Sequence, residues 1–273
     1  MKPINEHVKQ ASQGNSIVPG FNVFGWEDAS ALVRAAERAQ APILLMVNRD
    51  ARRAMDLRHW GALLSSIAGQ ARVPVGVHLD HCTDLETIRQ AMDWGFTSVM
   101  YDGSKLPIGE NCANSRQVVQ WARSNNIAVE GEVGTVPYDD LGETEAETTS
   151  PAEAKQIWEE SGLDWLAVSV GNIHRLTDRK ADLDFGALSA IQSVCPAPLV
   201  IHGASGIREE EMEQLKKTHV GKVNIGTTLR RVLGESLRHS FIADPHAFDR
   251  LALFKEPVRK LEEAAFDLIC RLK

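Results

Sequence analysis

The sequence predicts an α/β fold, a (β/α)8 TIM barrel in a single domain with an extra C-terminal helix over about 245–273. Three observations carry this. Short β-branched, apolar runs alternate with amphipathic stretches of about 10–16 residues, the pattern of βαβ units on a parallel sheet. The units number eight with no strand left over, and their even spacing favours closure over an open, doubly wound sheet. The chain's 273 residues match the ~250 of one such barrel.

In order, the predicted strands are Ile17–Val23, Pro42–Val47, Val73–His78, Ser98–Tyr101, Ile127–Val133, Trp165–Val170, Pro198–Ile201 and Lys222–Ile225. The helical patterns between them fall near 27–40, 56–70, 84–94, 112–125, 151–161, 184–193, 208–217 and 227–239, where apolar residues recur at helical spacing. Pro245 to Lys273 reads as further helix, capping the barrel or meeting a partner subunit. Thr135 to Ser150 is long, acidic and polar, and a loop of that length inside a compact domain reads as either a disordered segment or a lid.

Composition narrows the function classes. With 43% hydrophobic and 25% charged residues the chain is globular, which excludes disorder, collagen and coiled coil. A net charge of −7, from 30 basic and 37 acidic residues, argues against a nucleic-acid partner. The longest apolar run, Ala41 to Val47, falls far short of the ~20 residues that span a bilayer. Met1 to His7 has no apolar stretch behind its charge and so is no signal peptide. Cys82, Cys112, Cys195 and Cys270 are scattered without CxxC pairing, which suits a reducing compartment. The expectation is a soluble cytoplasmic protein with no membrane and no nucleic-acid partner. No GxGxxG follows the first strand and no GxxxxGK[ST] occurs, so no nucleotide cradle is indicated.

The polar residues gather at strand ends. His78-Leu79-Asp80-His81 closes the third strand, Tyr101-Asp102-Gly103-Ser104 the fourth, and Glu130-Gly131-Glu132 lies in the fifth. Gly171-Asn172-Ile173-His174 follows the sixth, and His202-Gly203-Ala204-Ser205-Gly206 the seventh. In a barrel these ends share one rim, where the βα loops build active sites. Taken singly, His81, His174 or His202 could be a cap or a core residue. Three imidazoles on one rim instead point to a divalent metal with an open coordination position. With carboxylates nearby and no thiolates, the set suits Zn²⁺, with Co²⁺, Fe²⁺ or Mn²⁺ as alternatives. His78 reads as a support behind these three. Gly203 to Gly206, and Asn224-Ile225-Gly226-Thr227-Thr228, each precede a helix after strands seven and eight, the place where barrels bind phosphate. Asp80 is either a proton shuttle or the N-cap of the next helix.

These segments, with Gly95 to Ser104, Glu110-Asn111, Leu183-Asp184-Phe185 and Lys222 to Ile225, resemble the class II, metal-dependent ketose-bisphosphate aldolases, in family order from about residue 20 to 240. The family includes fructose- and tagatose-1,6-bisphosphate aldolases. The resemblance implies a homodimer or homotetramer acting on a small phosphorylated sugar. It implies His81, His174 and His202 as metal ligands, and Glu132 and Asp102 as holders of the metal in an alternate, substrate-free position. It makes Asp80 the acid/base for the substrate's C4 hydroxyl. Gly203, Ser205, Asn224 and Thr227 match the phosphate and dihydroxyacetone loops, and Asn22 matches a substrate-contacting asparagine. The chemistry agrees: breaking a C–C bond beside a carbonyl leaves an enediolate, whose charge a divalent cation stabilises.

The chain also departs from the pattern. Arg175 stands where the family has Gly, whose backbone serves a phosphate and a monovalent cation, so neither feature carries over directly. Arg175 could instead contact a phosphate or carboxylate of a different substrate. Gly226 replaces a hydroxyl-binding Asp, and Asn48 replaces a Ser at the end of strand two. Asp140 occupies the place of the loop Glu that moves the proton at the nucleophilic carbon, and is either the second catalytic candidate, with a shorter reach, or a solvated acid of the loop. These departures point away from the standard glycolytic substrate. Two other readings compete: a metal-binding but catalytically silent or regulatory relative, and a Schiff-base aldolase using Lys222 or Lys105.

Overall fold

The computed structural model describes residues 2–137, 147–176 and 181–273. Eight parallel strands close into one barrel in sequence order. They are β1 (Val18–Asn22), β2 (Ile43–Val47), β3 (Val75–Cys82), β4 (Ser98–Tyr101), β5 (Ala128–Val133), β6 (Trp165–Val168), β7 (Leu199–Ile201) and β8 (Val220–Ile225), with β8 pairing back onto β1. Every predicted strand is present. The third departs most, running to Cys82 where the sequence predicts an end at His78.

Eleven helices accompany the strands among the described residues: α1 (Ile4–Ala11), α2 (Trp26–Ala39), α3 (Arg49–Ala54), α4 (Leu57–Gln70), α5 (Leu85–Asp93), α6 (Ile108–Arg123), α7 (Pro151–Ser161), α8 (Phe185–Val194), α9 (Glu209–Leu215), α10 (Thr227–Ala243) and α11 (Arg250–Leu272). Local sequence sets several of the starts. Asp56, Asp84, Ser150, Asp184 and Asp249 each accept a backbone N–H of the following first turn, satisfying donors that the helix leaves open.

The two-residue period of a strand sorts the core into two layers. Outward residues such as Phe21, Leu45, Val77, Leu79 and Val168 pack under the helices. Inward residues, among them Val18, Leu44, Met46, Met100, Trp165 and Val200, fill the barrel together with Ile4, Val8 and Ala11 of α1. Helix α1, absent from the sequence reading, thus plugs the mouth at the strands' N-terminal ends. Gly221 makes room for it, since a Cβ there would lie 2.5 Å from the Val8 carbonyl oxygen. Asn5 fastens the plug by donating to Asp164 at 2.7 Å and accepting from Trp165 Nε1 at 2.9 Å. The other mouth is left for chemistry.

The C-terminal helix corrects an expectation, because it does not cap the barrel. Its apolar stripe of Leu261, Ala265, Ile269 and Leu272 lies buried where α11 packs along α2 and α10 in the outer ring. The Leu272 carbonyl accepts from Ile17 N at 2.8 Å, and Arg34 and Arg38 of α2 pair with Glu262 and Glu263. No helix among the described residues is long and apolar enough to cross a membrane. All four cysteines are free thiols, with Cys270 exposed.

Candidate metal centre and active site

Parity brings the polar side chains together. Asn22, His78, Asp80, Glu130, Glu132, Lys222 and Asn224 fall on the inward positions of their strands, toward the C-terminal mouth. Strict alternation would turn His81 outward, away from its neighbour Asp80. The chain avoids this by a register shift between Leu79 and Cys82 and by a left-handed backbone at His81, φ +46°. Such a conformation costs a non-glycine residue of order 1–3 kcal/mol and collects at functional sites. The result is that Asp80 and His81 both line the same cleft.

The three predicted imidazoles meet there. Ring centroids of His81 and His202 are 4.6 Å apart, His81 and His174 5.0 Å, and His174 and His202 5.6 Å. One ring nitrogen from each lies within 4.8 Å of the others, close enough to share an ion. His202 places Nε2 2.9 Å from Glu130, and its buried Nδ1 has no hydrogen-bond partner among the described residues. Burial, followed by repulsion from His81, holds His174 and His202 well below the usual imidazole pKa. Neutral imidazole is the form a divalent cation binds, so the donor set fits a metal ion.

A second group shares His81. Asp102 Oδ2 stands 2.8 Å from His81 Nδ1, and Glu132 Oε2 stands 3.6 Å from it. Burial works to raise the Asp102 pKa, but hydrogen bonds from His81 and Ser104 and the His81 charge outweigh it and hold the carboxyl well below the usual range. Glu132 moves the other way, raised by burial and then by the negative charge of Asp102. A cation would relieve that repulsion.

Asp80 is not a helix cap; Asp84 performs that role for α5. Both Asp80 oxygens are instead held by amides, Oδ2 by Asn22 Nδ2 at 2.9 Å and Oδ1 by Asn224 Nδ2 at 3.2 Å. The cleft spans about 600 Å³ including its solvent, and Asn22, Asn48, Arg175, Gly203, Ser205, Asn224 and Thr227 all line it. Glu132, Asp102 and His202 are not part of that lining. Gly203 sits at φ +68°, where a Cβ would come within 2.2 Å of the Ile173 carbonyl oxygen. Ser205 Oγ accepts from Thr228 N at 3.2 Å, tying the loop after β7 to the start of α10. Asn48 has a second duty, since its Oδ1 caps α3 through Asp50 N and Ala51 N. Arg175 takes φ +57° and reaches Asp50, Nη2 to Oδ2, at 2.6 Å. Asp140 lies outside the described residues.

Arg49 and Arg230 also line the cleft and were missed by sequence reasoning. The available signals were that Arg49 follows a strand-end residue and that Arg230 lies in the first turn of α10. The fully buried Glu130, noted in the sequence without a role, shares its parity with Glu132. Lys222, the Schiff-base candidate, is fully buried with Nζ 2.6 Å from Glu130 and lies outside the cleft lining. A fully buried amine paired with a carboxylate is poorly placed to meet a carbonyl substrate.

Compared with known proteins, residues 2–272 match the family model "Fructose-bisphosphate aldolase class-II". The crystal structure of the YdjI aldolase from Escherichia coli K12 is similar, with a TM-score of 0.87 and 26% identity over 98% of this chain and 96% of that one. A candidate fructose-1,6-biphosphate aldolase from Coccidioides immitis gives a TM-score of 0.85 and 26% identity, covering 99% and 96%. Fructose-bisphosphate aldolase from Campylobacter jejuni shares the fold, with a TM-score of 0.77 at 20% identity, covering 98% and 92%.

Proposed function

The chain belongs to the class II fructose-bisphosphate aldolase family, and on that premise we propose that it is a metal-dependent aldolase that reversibly cleaves a ketose phosphate, a ketose bisphosphate or a related sugar-acid phosphate. The products are dihydroxyacetone phosphate or a similar ketone and an aldehyde. The observation that carries this reading is a single mouth at which three imidazole nitrogens lie within 4.8 Å of one another beside the doubly clamped Asp80.

In this reading His81, His174 and His202 hold the ion, with Asp102 and Glu132 offering an alternate position through His81. Zn²⁺ suits three imidazoles best, and Co²⁺, Fe²⁺ or Mn²⁺ are possible occupants. Bound there, the cation supplies Lewis-acid stabilisation of the charge that develops beside the breaking bond. Asp80 takes the proton of the hydroxyl on the carbon that becomes the aldehyde, as the C–C bond breaks and its electron pair moves toward the ketone fragment. The amides of Asn22 and Asn224 keep the Asp80 carboxylate turned toward that proton. Asp140 is the proposed partner that returns a proton to the nucleophilic carbon. Gly203, Ser205 and Thr227 offer small residues and the N-terminus of α10 to a phosphate. Asn48 and Arg175 contact the remainder of the substrate, with Arg175 as the partner for a phosphate or carboxylate.

We also read the chain as a cytoplasmic homodimer or homotetramer. Free thiols suit a reducing compartment. Phe241, Ile242, Phe248 and Leu251, spread from the end of α10 to the start of α11, are exposed apolar side chains, with Phe248 92% and Leu251 81% exposed, and a partner subunit would cover such residues.

The test is a panel of phosphorylated and carboxylated ketoses incubated with the Zn²⁺-loaded protein, with aldehyde release followed by a coupled dehydrogenase. Cleavage of one member supports the reading. Tight metal uptake with no turnover on the panel favours a silent or regulatory relative.

A further inference from the structure

Below the three histidines lies a polar chain that the proposed reaction does not use. Lys222 Nζ donates to Glu130 Oε2 at 2.6 Å, and Glu130 Oε1 stands 2.9 Å from His202 Nε2. All three side chains are fully buried. The Trp165 ring, 5.8 Å from Lys222 Nζ, walls the pair from below. His78 flanks it, with Nε2 3.7 Å from Glu130 Oε2 and Nδ1 2.9 Å from Ser98 Oγ. Buried charge of this kind is a poor stabiliser compared with apolar packing, so its place directly under a candidate ligand calls for another reason.

We propose that Glu130 and Lys222 are positioning residues for the metal centre, fixing His202 as the Nε2–H tautomer so that Nδ1 is its ligand atom. This rests on the reading that His202 holds the ion. The argument is one of hydrogen-bond inventory. An ammonium only donates, so it fixes Oε2 as an acceptor and stops the carboxylate from rotating. Glu130 Oε1, 2.9 Å from His202 Nε2, is then the acceptor that the imidazole meets with a proton on Nε2. The lone pair is left on Nδ1, which has no hydrogen-bond partner among the described residues. Asn172 holds the His202 main chain in place by donating to its carbonyl at 3.1 Å.

His81 works through the other nitrogen. Its Nδ1 meets Asp102 at 2.8 Å, which leaves Nε2 for the ion. Two ligands of one centre are thus set in opposite tautomers by two different carboxylates. A proton on the wrong nitrogen of His202 would block its ligand atom, and such outer partners typically tune metal affinity by 10–100-fold.

The first measurement reads the tautomer in the wild-type, metal-free protein by long-range ¹H–¹⁵N correlation, with the His202 signals assigned by comparison with His202→Gln. The expected result is a protonated Nε2 and a pyridine-like Nδ1. A proton on Nδ1, as would follow if Glu130 donated to Nε2, overturns the proposal. The second measurement is Zn²⁺ affinity by competition with a chromophoric chelator. In Glu130→Gln, Lys222 claims the amide oxygen, the NH₂ group faces His202 Nε2, and affinity falls about 10–100-fold. Adding Lys222→Met frees the amide to turn, and most of the loss is recovered. Wild-type affinity in Glu130→Gln, or a deeper loss on adding Lys222→Met, counts against the proposal. A wild-type protein that takes up no Zn²⁺ sinks the metal reading itself, while the tautomer measurement still decides this one.

Discussion

Arg175 joins the loop after β6 to the first turn of α3, its Nη2 2.6 Å from Asp50 Oδ2. Its backbone sits at φ +57°, a conformation that glycine adopts freely and arginine does not. The chain accepts that cost at the edge of the cleft, and the proposed function gives the side chain a substrate contact there. Replacing Arg175 with Ala should lower kcat/KM about 10–100-fold on the true substrate, the range for losing one charge-assisted contact. Arg175→Lys should recover only part of it, because a point charge lacks the planar fork. Steady-state kinetics with unchanged turnover in Arg175→Ala would remove Arg175 from the site.

Asp80→Asn keeps the shape and removes the base. With the amides of Asn22 and Asn224 still in place, kcat should drop roughly 10²–10⁴-fold, while Zn²⁺ content measured by atomic absorption stays at the wild-type level. A variant that turns over normally assigns the proton transfer elsewhere.

How much of this was legible in the sequence depends on the distance over which each feature is determined. The strands, the shared rim and the three histidines follow from apolar period and strand-end chemistry, both local. Helix α1 left a faint trace in the spacing of Ile4, Val8 and Ala11, yet its role as a plug is a contact with Gly221, set by barrel closure. The Arg175–Asp50 pair joins residues 125 positions apart, beyond any local pattern. The left-handed turn at His81 is invisible too, because propensity alone argues against it there. That α11 packs in the outer ring instead of capping the barrel was not legible for a related reason. An apolar stripe shows that a helix is buried, and says nothing about which neighbour buries it.

Acid should destabilise the metal-free protein. Burial holds His78, His174 and His202 well below the ordinary imidazole value, with Lys222 adding to the effect at His78 and His81 at the other two. These three histidines therefore bind fewer protons in the folded chain than in the unfolded one between the depressed values and about 6.5, so their contribution to stability rises with pH across that window, opposed by the raised carboxyls of Glu132 and of Asp28, the latter pushed up to about 6. The contribution is complete above about 6.5 and is lost as pH falls below it. The melting temperature of chelator-treated protein should fall from pH 6.5 to pH 5, and His78→Gln should lessen the fall. A melting temperature that holds level or climbs toward pH 5 contradicts this.

The exposed apolar side chains at the junction of α10 and α11 predict assembly. Light scattering on the wild-type protein should report a dimer or tetramer, and Phe248→Glu combined with Leu251→Glu should shift it toward monomer with little change in helix content. A monomeric wild type at micromolar concentration would leave those side chains without their assigned purpose.

The most direct test of the central claim is to strip the protein with a chelator, assay retro-aldol cleavage, and restore Zn²⁺ stoichiometrically. The account predicts activity lost on stripping, recovered near one ion per chain, and absent from His81→Ala, His174→Ala and His202→Ala even with excess Zn²⁺. Cleavage that persists in the stripped protein, or a substrate adduct trapped on a lysine by borohydride, would contradict it.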